Sequence, residues 1–145
     1  MTLADIEHLL PNGFHDAEIE QFVWDYRTNS ASFIVELWVA KEGDESLEVY
    51  REARLDLKGI IFIMIDPPCP RELDPKPYKS SSGTLQIDGF ETTESMLPNL
   101  ATLLEGVSAG TSPYSFYVVN WNSYIHIAAK EAELVWTGER KTLTT

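Results

Sequence analysis

Segments in the first half of the chain alternate apolar and polar residues with a period of two, and this pattern constrains the fold most strongly. Every second residue is apolar in Ser32–Ala40 and, except at Arg51, again in Leu47–Leu57, and the polar segment Lys41–Ser46 separates them. A period of two is typical of a strand that buries one face of a sheet. Short polar connections join such strands as antiparallel neighbours, so the pattern predicts an antiparallel sheet.

Two irregularities interrupt the strand pattern. In Ala17–Tyr26 the apolar residues change from odd to even positions near Glu20-Gln21, which predicts a β-bulge or a strand buried on both faces. Gly59 is expected to break or bend the chain after Leu47–Leu57. The continuously apolar Ile60–Ile65 that follows has the composition of a central strand.

The remaining segments predict further strands and two helices. Strands are expected at Thr84–Phe90, Tyr114–Trp121 and Tyr124–Trp136. Thr2 can cap a helix over Leu3–Leu10, and leucine spacing predicts a second short helix within Thr92–Gly106. Because strands and helices do not alternate, a parallel doubly wound sheet is not expected. The predicted fold is mainly β, either an antiparallel β-sandwich or a curled sheet of seven or eight strands, with two short helices.

Length and proline distribution predict a single domain, residues 1–145, with one long loop. The chain has 145 residues and is 43% hydrophobic, which is enough to form the core of one ordinary domain. Asp66–Ser82 contains five of the eight prolines, and a loop of this length in a compact domain is often functional. Residues 137–145 are expected to form a polar tail.

Acidic residues dominate the first third of the chain. The formal net charge is −12, and residues 1–50 alone contribute −9. A nucleic-acid binder needs lysine and arginine on phosphates, so this charge argues against nucleic acid and anionic membranes as partners. Acidic surfaces attract basic proteins, so the charge favours a basic protein partner.

Motifs for cofactors and metals are absent from the sequence. It contains no HExxH pair, cysteine–histidine cluster, nucleotide-binding fingerprint or nucleophile elbow, so neither a cofactor nor a metal site is predicted. Met1–Leu10 lacks the positive region and the long apolar stretch of a signal peptide. The single cysteine, Cys69, cannot form an internal disulfide, and we expect a cytoplasmic protein. The choice between monomer and homodimer stays open.

The adjacent residues His15 and Asp16 are the candidate catalytic pair. A histidine beside an aspartate can act as a general base or hold a metal, which would make the protein a metal-binding or hydrolytic enzyme. Adjacent residues in a strand point to opposite faces, however, so the two side chains are not expected to converge. The alternative is a turn in which Asp16 caps backbone amides and His15 packs locally.

A binding surface is predicted on the first two strands. Glu18, Glu20 and Glu36 lie on neighbouring predicted strands, where they would form an acidic stripe on one face of the sheet. Trp38 has the opposite parity from the apolar residues of its strand. It therefore either joins this outer face beside Glu36 or is covered by a helix. The competing interpretation of the acidic stripe is an ordinary solvated face.

Two segments are similar to a group of bacterial proteins. Leu10–Ala17, with the sequence LPNGFHDA, leads into an acidic, aromatic strand, and Val119–Ile127 leads into the closing strands. These segments resemble small bacterial proteins that have an HDA turn and a WN hairpin, some of which resemble immunity proteins of polymorphic toxin systems. The resemblance implies a non-catalytic acidic protein that covers the basic active site of a toxin.

A curled sheet also allows a third function. Such a sheet can enclose an apolar cavity, and the chain would then be a small-molecule carrier. Trp24, Phe33 and Phe62 are the residues expected to line that cavity. The sequence therefore leaves three functions open, which are protein binding, catalysis at His15 and Asp16, and small-molecule carriage.

Overall fold

A computed structural model describes residues 1–40, 48–69, 83–107 and 111–143. Its helices and strands are, in chain order, α1 (Leu3–Leu9), β1 (Ala17–Asp25), β2 (Ser30–Trp38), β3 (Glu48–Ile65), β4 (Leu85–Glu91), α2 (Leu100–Leu103), β5 (Tyr114–Val118), β6 (Ser123–Trp136) and β7 (Lys141–Leu143). Within these ranges, neither helix has the length and apolar character needed to cross a membrane.

Six of the strands close into an antiparallel barrel. Around the barrel the order is β2–β1–β4–β5–β6–β3, and β3 pairs back onto β2. The mainly β composition with two short helices is confirmed, whereas the predicted β-sandwich is wrong. The reason is the length of β3, because this 18-residue strand pairs with β2 on one side and with β6 on the other and so joins the ends of the sheet.

Two local irregularities allow the sheet to curl. The register between β1 and β2 shifts between Ile19 and Gln21, which confirms the predicted bulge. β3 continues through Gly59, whose φ of +62° lies in the left-handed region that glycine tolerates, and its register with β6 shifts between Ile60 and Phe62. Bulges and glycine kinks increase local twist and curvature, which helps a sheet to close.

The predicted alternation fills the barrel interior. Along β2, each buried residue is followed by a half-buried one that points outward. The buried members of β2 are Ala31, Phe33, Val35 and Leu37. Burying a large apolar side chain stabilises a fold by about 1.5–3 kcal/mol, so these positions fix which face of the strand points inward.

The helix α1 packs against β4 and β6 and extends the core. A capping box begins the helix, in which the Asp5 amide donates to Thr2 Oγ1 and the Thr2 amide donates to Asp5 Oδ2. The turn after α1 carries Phe14, which is fully buried and packs edge-to-face against Tyr114 and Phe116. This buried ring fixes the turn that presents the next two residues, His15 and Asp16.

Parts of the predicted loops lie outside the described residues. These are residues 41–47 and, within the predicted loop Asp66–Ser82, residues 70–82. The first residues of that loop stay close to β6 and the turn before it, since the Asp66 amide donates to the Tyr124 carbonyl and the Cys69 amide to that of Trp121. Residues 141–143 of the predicted polar tail form β7, which pairs with the start of β3.

Candidate functional site

His15 and Asp16 lie in the turn between α1 and β1. The turn places Asp16 at a φ of +53°, in the left-handed region, immediately before β1 begins at Ala17. The expectation that the two side chains diverge holds for a strand and is wrong here, because the chain forms the turn that was the alternative. In the turn the side chains converge, and His15 Nε2 lies 3.4 Å from Asp16 Oδ2.

Asp88 of β4 completes this group of side chains. Its Oδ1 lies 2.7 Å from His15 Nδ1 and accepts a hydrogen bond from the Asp16 backbone amide at 3.3 Å. Gln86 Nε2 donates to Asp16 Oδ1 at 3.0 Å, so the Asp16 carboxylate is oriented from β4 as well. Asp88 thus anchors the turn to the barrel wall. Asp88 comes near His15 through the pairing of β1 with β4, in which Ala17 lies opposite Ile87.

A shallow surface cleft opens beside this group. It has a volume of about 350 Å³, and its lining consists of Glu7, His15, Asp88, Gly89 and Phe90. The His15 side chain is 62% exposed. His15 therefore borders the cleft, whereas Asp16 is not part of its lining, and both residues take part in hydrogen bonds that join the turn to β4.

Three glutamates lie directly opposite one another on three neighbouring strands. Glu18 of β1 faces Glu36 of β2, and Glu36 faces Glu52 of β3. All three are half-buried and alternate with core residues, so they share the outer face of the barrel. Glu18, Glu36 and Glu52 are called the acidic row below. Residues directly opposite in an antiparallel pair have Cβ atoms about 4.5–5.5 Å apart, so the register holds like charges together.

Glu20 adds a fourth carboxylate to the row. It lies at the bulge of β1 and is exposed. Partial burial raises the pKa of Glu20, and the carboxylates of Glu52, Glu36 and Glu18 raise it further, while Lys141 lowers it. A raised pKa means that these surroundings disfavour the ionised carboxylate. The acidic row together with Glu20 is called the acidic patch. It contains every acidic residue of the predicted stripe and adds Glu52.

Two basic residues of β3, Arg54 and Lys58, lie near acidic residues that are not part of the acidic patch. Arg54 Nε lies 2.9 Å from each carboxylate oxygen of Asp56. Lys58 faces Glu131 across the β3–β6 pair. Arg54 is therefore paired with Asp56, and Lys58 lies opposite Glu131, both outside the acidic patch.

Trp38 ends β2 beside both groups of side chains. It lies directly opposite Tyr50 on β3, is half-buried, and its ring centroid is 6.2 Å from that of His15. The Trp38 ring therefore lies against the turn after α1. The Trp38 carbonyl accepts a hydrogen bond from Asn12 Nδ2 at 3.1 Å, which ties this turn to the end of β2. Trp38 therefore lies two residues from Glu36, between the acidic patch and the His15 cleft.

A buried serine–histidine–aspartate arrangement lies elsewhere on the barrel. His126 Nδ1 is 2.7 Å from Ser115 Oγ, and His126 Nε2 is 2.9 Å from Asp66 Oδ2. Since an ionised carboxylate only accepts, His126 Nε2–H donates to Asp66, and Nδ1 shares a hydrogen bond with the Ser115 hydroxyl. Ser115 and His126 are both fully buried, so the serine is closed to a substrate. This network ties β5, β6 and the end of β3 together.

A small apolar cavity lies at the edge of the barrel core, where its lining includes the exposed Ile65. It has a volume of about 120 Å³, and its lining consists of Ile19, Phe22, Phe33, Ile63, Ile65, Leu85, Trp121 and Ile125. Of the three residues expected to line a carrier cavity, Phe33 does so, while Trp24 and Phe62 are not part of this lining. Pockets for drug-sized ligands occupy about 300–1,000 Å³. The cavity is nearer the size of an engineered cavity that binds benzene, about 150 Å³.

No family model, curated protein or solved structure matches the chain. Two groups of side chains stand out on geometry alone. The acidic patch lies on the outer face of β1–β3, and the group of His15, Asp16 and Asp88 lies beside it at the start of β1.

Proposed function

We propose that this protein is a non-catalytic binding module that engages a basic protein partner through the acidic patch. The observation that carries the proposal is the register of the acidic row, in which Glu36 has a glutamate directly opposite it on each side. Like charges placed directly opposite one another destabilise a sheet. A partner that supplies lysine or arginine side chains would remove this repulsion when it binds.

Partial burial of the row strengthens this interpretation. Glu18, Glu36 and Glu52 are half-buried, and threonine hydroxyls donate to the outer two, from Thr84 to Glu18 and from Thr137 to Glu52. These bonds orient the carboxylates without neutralising them. Electrostatic attraction accelerates encounter with a complementary surface, and a preoriented group of charges gives specificity for the partner's basic residues.

Aromatic side chains at the edge of the patch offer contact area beside the charges. Trp38 and Tyr50 lie opposite each other at the end of the β2–β3 pair, two residues from Glu36 and Glu52. Tryptophan and tyrosine are enriched among the residues that dominate binding energy at protein interfaces. The partner would therefore contact a charged surface with an aromatic edge.

The resemblance of the HDA turn and the WN hairpin to immunity proteins fits the same proposal. An immunity protein of that kind would cover the basic active site of a toxin. In this chain the HDA turn lies directly before β1, next to the acidic patch, so the two features belong to one surface region.

Affinity capture with matched variants tests the proposal. The immobilised wild-type protein is expected to capture a basic protein from a lysate of its source cells at an ionic strength of about 0.01 M and to release it at about 1 M, where screening shortens the Debye length to about 3 Å. The row variant, E18Q/E36Q/E52Q, should fail to capture that protein.

The control variant, E91Q/E94Q/E105Q, removes the same number of charges from exposed positions between β4 and the residues after α2. It should capture the partner as the wild type does. Equal capture by the row variant and the wild type, or equal loss in both variants, would contradict the proposal, because binding would then not depend on this patch.

A further inference from the structure

We propose that His15, Asp16 and Asp88 form a binding site for zinc or a similar first-row divalent ion. One imidazole nitrogen and two carboxylate oxygens, one from each side chain, lie within 4.8 Å of one another. Imidazole favours zinc, copper, iron and nickel over magnesium and calcium, and carboxylates complete many such sites. The donor set therefore selects for a transition-type ion.

The spacing within the group fits a tetrahedral ion. Zinc binds histidine nitrogen and carboxylate oxygen at about 2.0–2.2 Å, which places two tetrahedral ligands about 3.4 Å apart. His15 Nε2 and Asp16 Oδ2 already have this separation, 3.4 Å. Asp88 Oδ1 lies 2.7 Å from the other nitrogen of the ring, Nδ1, so the Asp88 carboxylate must move toward the Nε2 side to complete the set.

Hydrogen bonds outside the donor set orient the two carboxylates. Gln86 Nε2 donates to the second oxygen of Asp16, and the Asp16 backbone amide donates to Asp88. Hydrogen bonds of this kind orient metal ligands, and their loss typically lowers metal affinity about 10–100-fold. Both contacts depend on the antiparallel pairing of β1 with β4, so the barrel itself supports the group.

The site is open on one side. The cleft beside it gives access to His15 and Asp88, and Glu7 of α1 lines the same cleft. Three protein ligands with one open coordination position are typical of zinc sites that bind a water molecule or another ligand. Glu7 adds negative charge to the cleft, which favours a cation over an anion there.

Titration calorimetry with zinc, followed by absorption spectroscopy with Co²⁺ as a coloured substitute, tests the site. The wild-type protein should bind one Zn²⁺ per chain and give a Co²⁺ spectrum of low coordination number. His15→Ala and Asp16→Asn should abolish both signals. His8→Ala, which removes an exposed histidine of α1, should leave both unchanged.

Circular dichroism of each variant separates a ligand role from a role in folding. A variant that keeps the wild-type spectrum and melting temperature but loses metal supports the site. Gln86→Ala should weaken zinc binding about 10-fold or more while His15 stays in place.

Two results would overturn the site. One is a wild-type protein that takes up no Zn²⁺ while His15→Ala only lowers its melting temperature, because His15 would then serve only to hold the turn. The other is zinc uptake that persists in His15→Ala. The row variant should bind zinc as the wild type does, so the metal site and the proposed partner surface can fail independently.

Discussion

Neutralising the central carboxylate of the acidic row, by Glu36→Gln, should stabilise the fold while it weakens partner binding. Glu36 faces Glu18 on one side and Glu52 on the other. A like-charge pair directly opposite in a sheet is destabilising, and cross-strand pairs contribute about 0.2–1 kcal/mol each. Half-exposed charges are partly screened by solvent, so the two relieved contacts should together raise the free energy of unfolding by about 0.5–1 kcal/mol.

Urea denaturation at low and high ionic strength measures this gain. The gain should shrink at about 1 M salt, where screening already weakens the repulsion. Glu131→Gln is the matched control, since Glu131 faces Lys58 and its neutralisation removes an attraction instead. That variant should be no more stable than the wild type. A Glu36→Gln protein that is less stable than the wild type, or whose gain is independent of salt, would refute the reasoning.

Three further predictions follow from the pKa of Glu20 and from the packing. The folded-state pKa of Glu20 is raised above 4.5. The fold therefore tolerates the protonated side chain below about pH 4.5, and the protein loses stability as the pH rises through the raised pKa and Glu20 ionises. Glu20→Gln should therefore match the wild type near pH 4 and exceed its stability near pH 7, and parallel pH profiles in urea unfolding would contradict this. A Cβ at Gly89 would collide with the Tyr114 hydroxyl, so Gly89→Ala should cost about 1–3 kcal/mol, and a Tyr114→Phe background should recover part of that loss; equal losses in both backgrounds would exclude the collision. His126→Ala should lower the free energy of unfolding by about 2–4 kcal/mol because it empties a fully buried site, and a loss below 1 kcal/mol in thermal melts would show that the site collapses without penalty.

The strands were predictable because local patterns determine them. Alternation in Ser32–Ala40 identified the buried face of β2, and the phase change in Ala17–Tyr26 identified the bulge of β1. Closure of the barrel was not predictable, because it depends on the pairings of β1 with β4 and of β3 with β6, which join strands that are distant in sequence. Alternation indicates which residues point inward, but it does not indicate which strands become neighbours.

The candidate site was predictable only in part for the same reason. The acidic stripe was expected from Glu18, Glu20 and Glu36, whereas Glu52 enters the row through the register of the β2–β3 pair. Asp88 had no signal in the sequence, since it is separated from His15 by 73 positions and only the β1–β4 pairing brings the two together.

The convergence of His15 and Asp16 was missed because adjacent side chains diverge in a strand, and the alternative, a turn, does not by itself indicate where the two side chains point. Asp16 adopts a φ of +53°, which is rare for residues other than glycine but several-fold enriched for aspartate. The Pro11-Asn12-Gly13 sequence signalled a turn at the end of α1, but it did not show that the turn extends to Asp16.

The association rate of the purified partner, measured against ionic strength, tests the central claim most directly. For the wild-type protein and the control variant E91Q/E94Q/E105Q, the rate constant should fall about 10-fold or more between about 0.01 M and 1 M salt. For the row variant E18Q/E36Q/E52Q, it should be slow at both ionic strengths and nearly independent of salt. Equal rate constants for the wild type and the row variant at both ionic strengths would contradict the account.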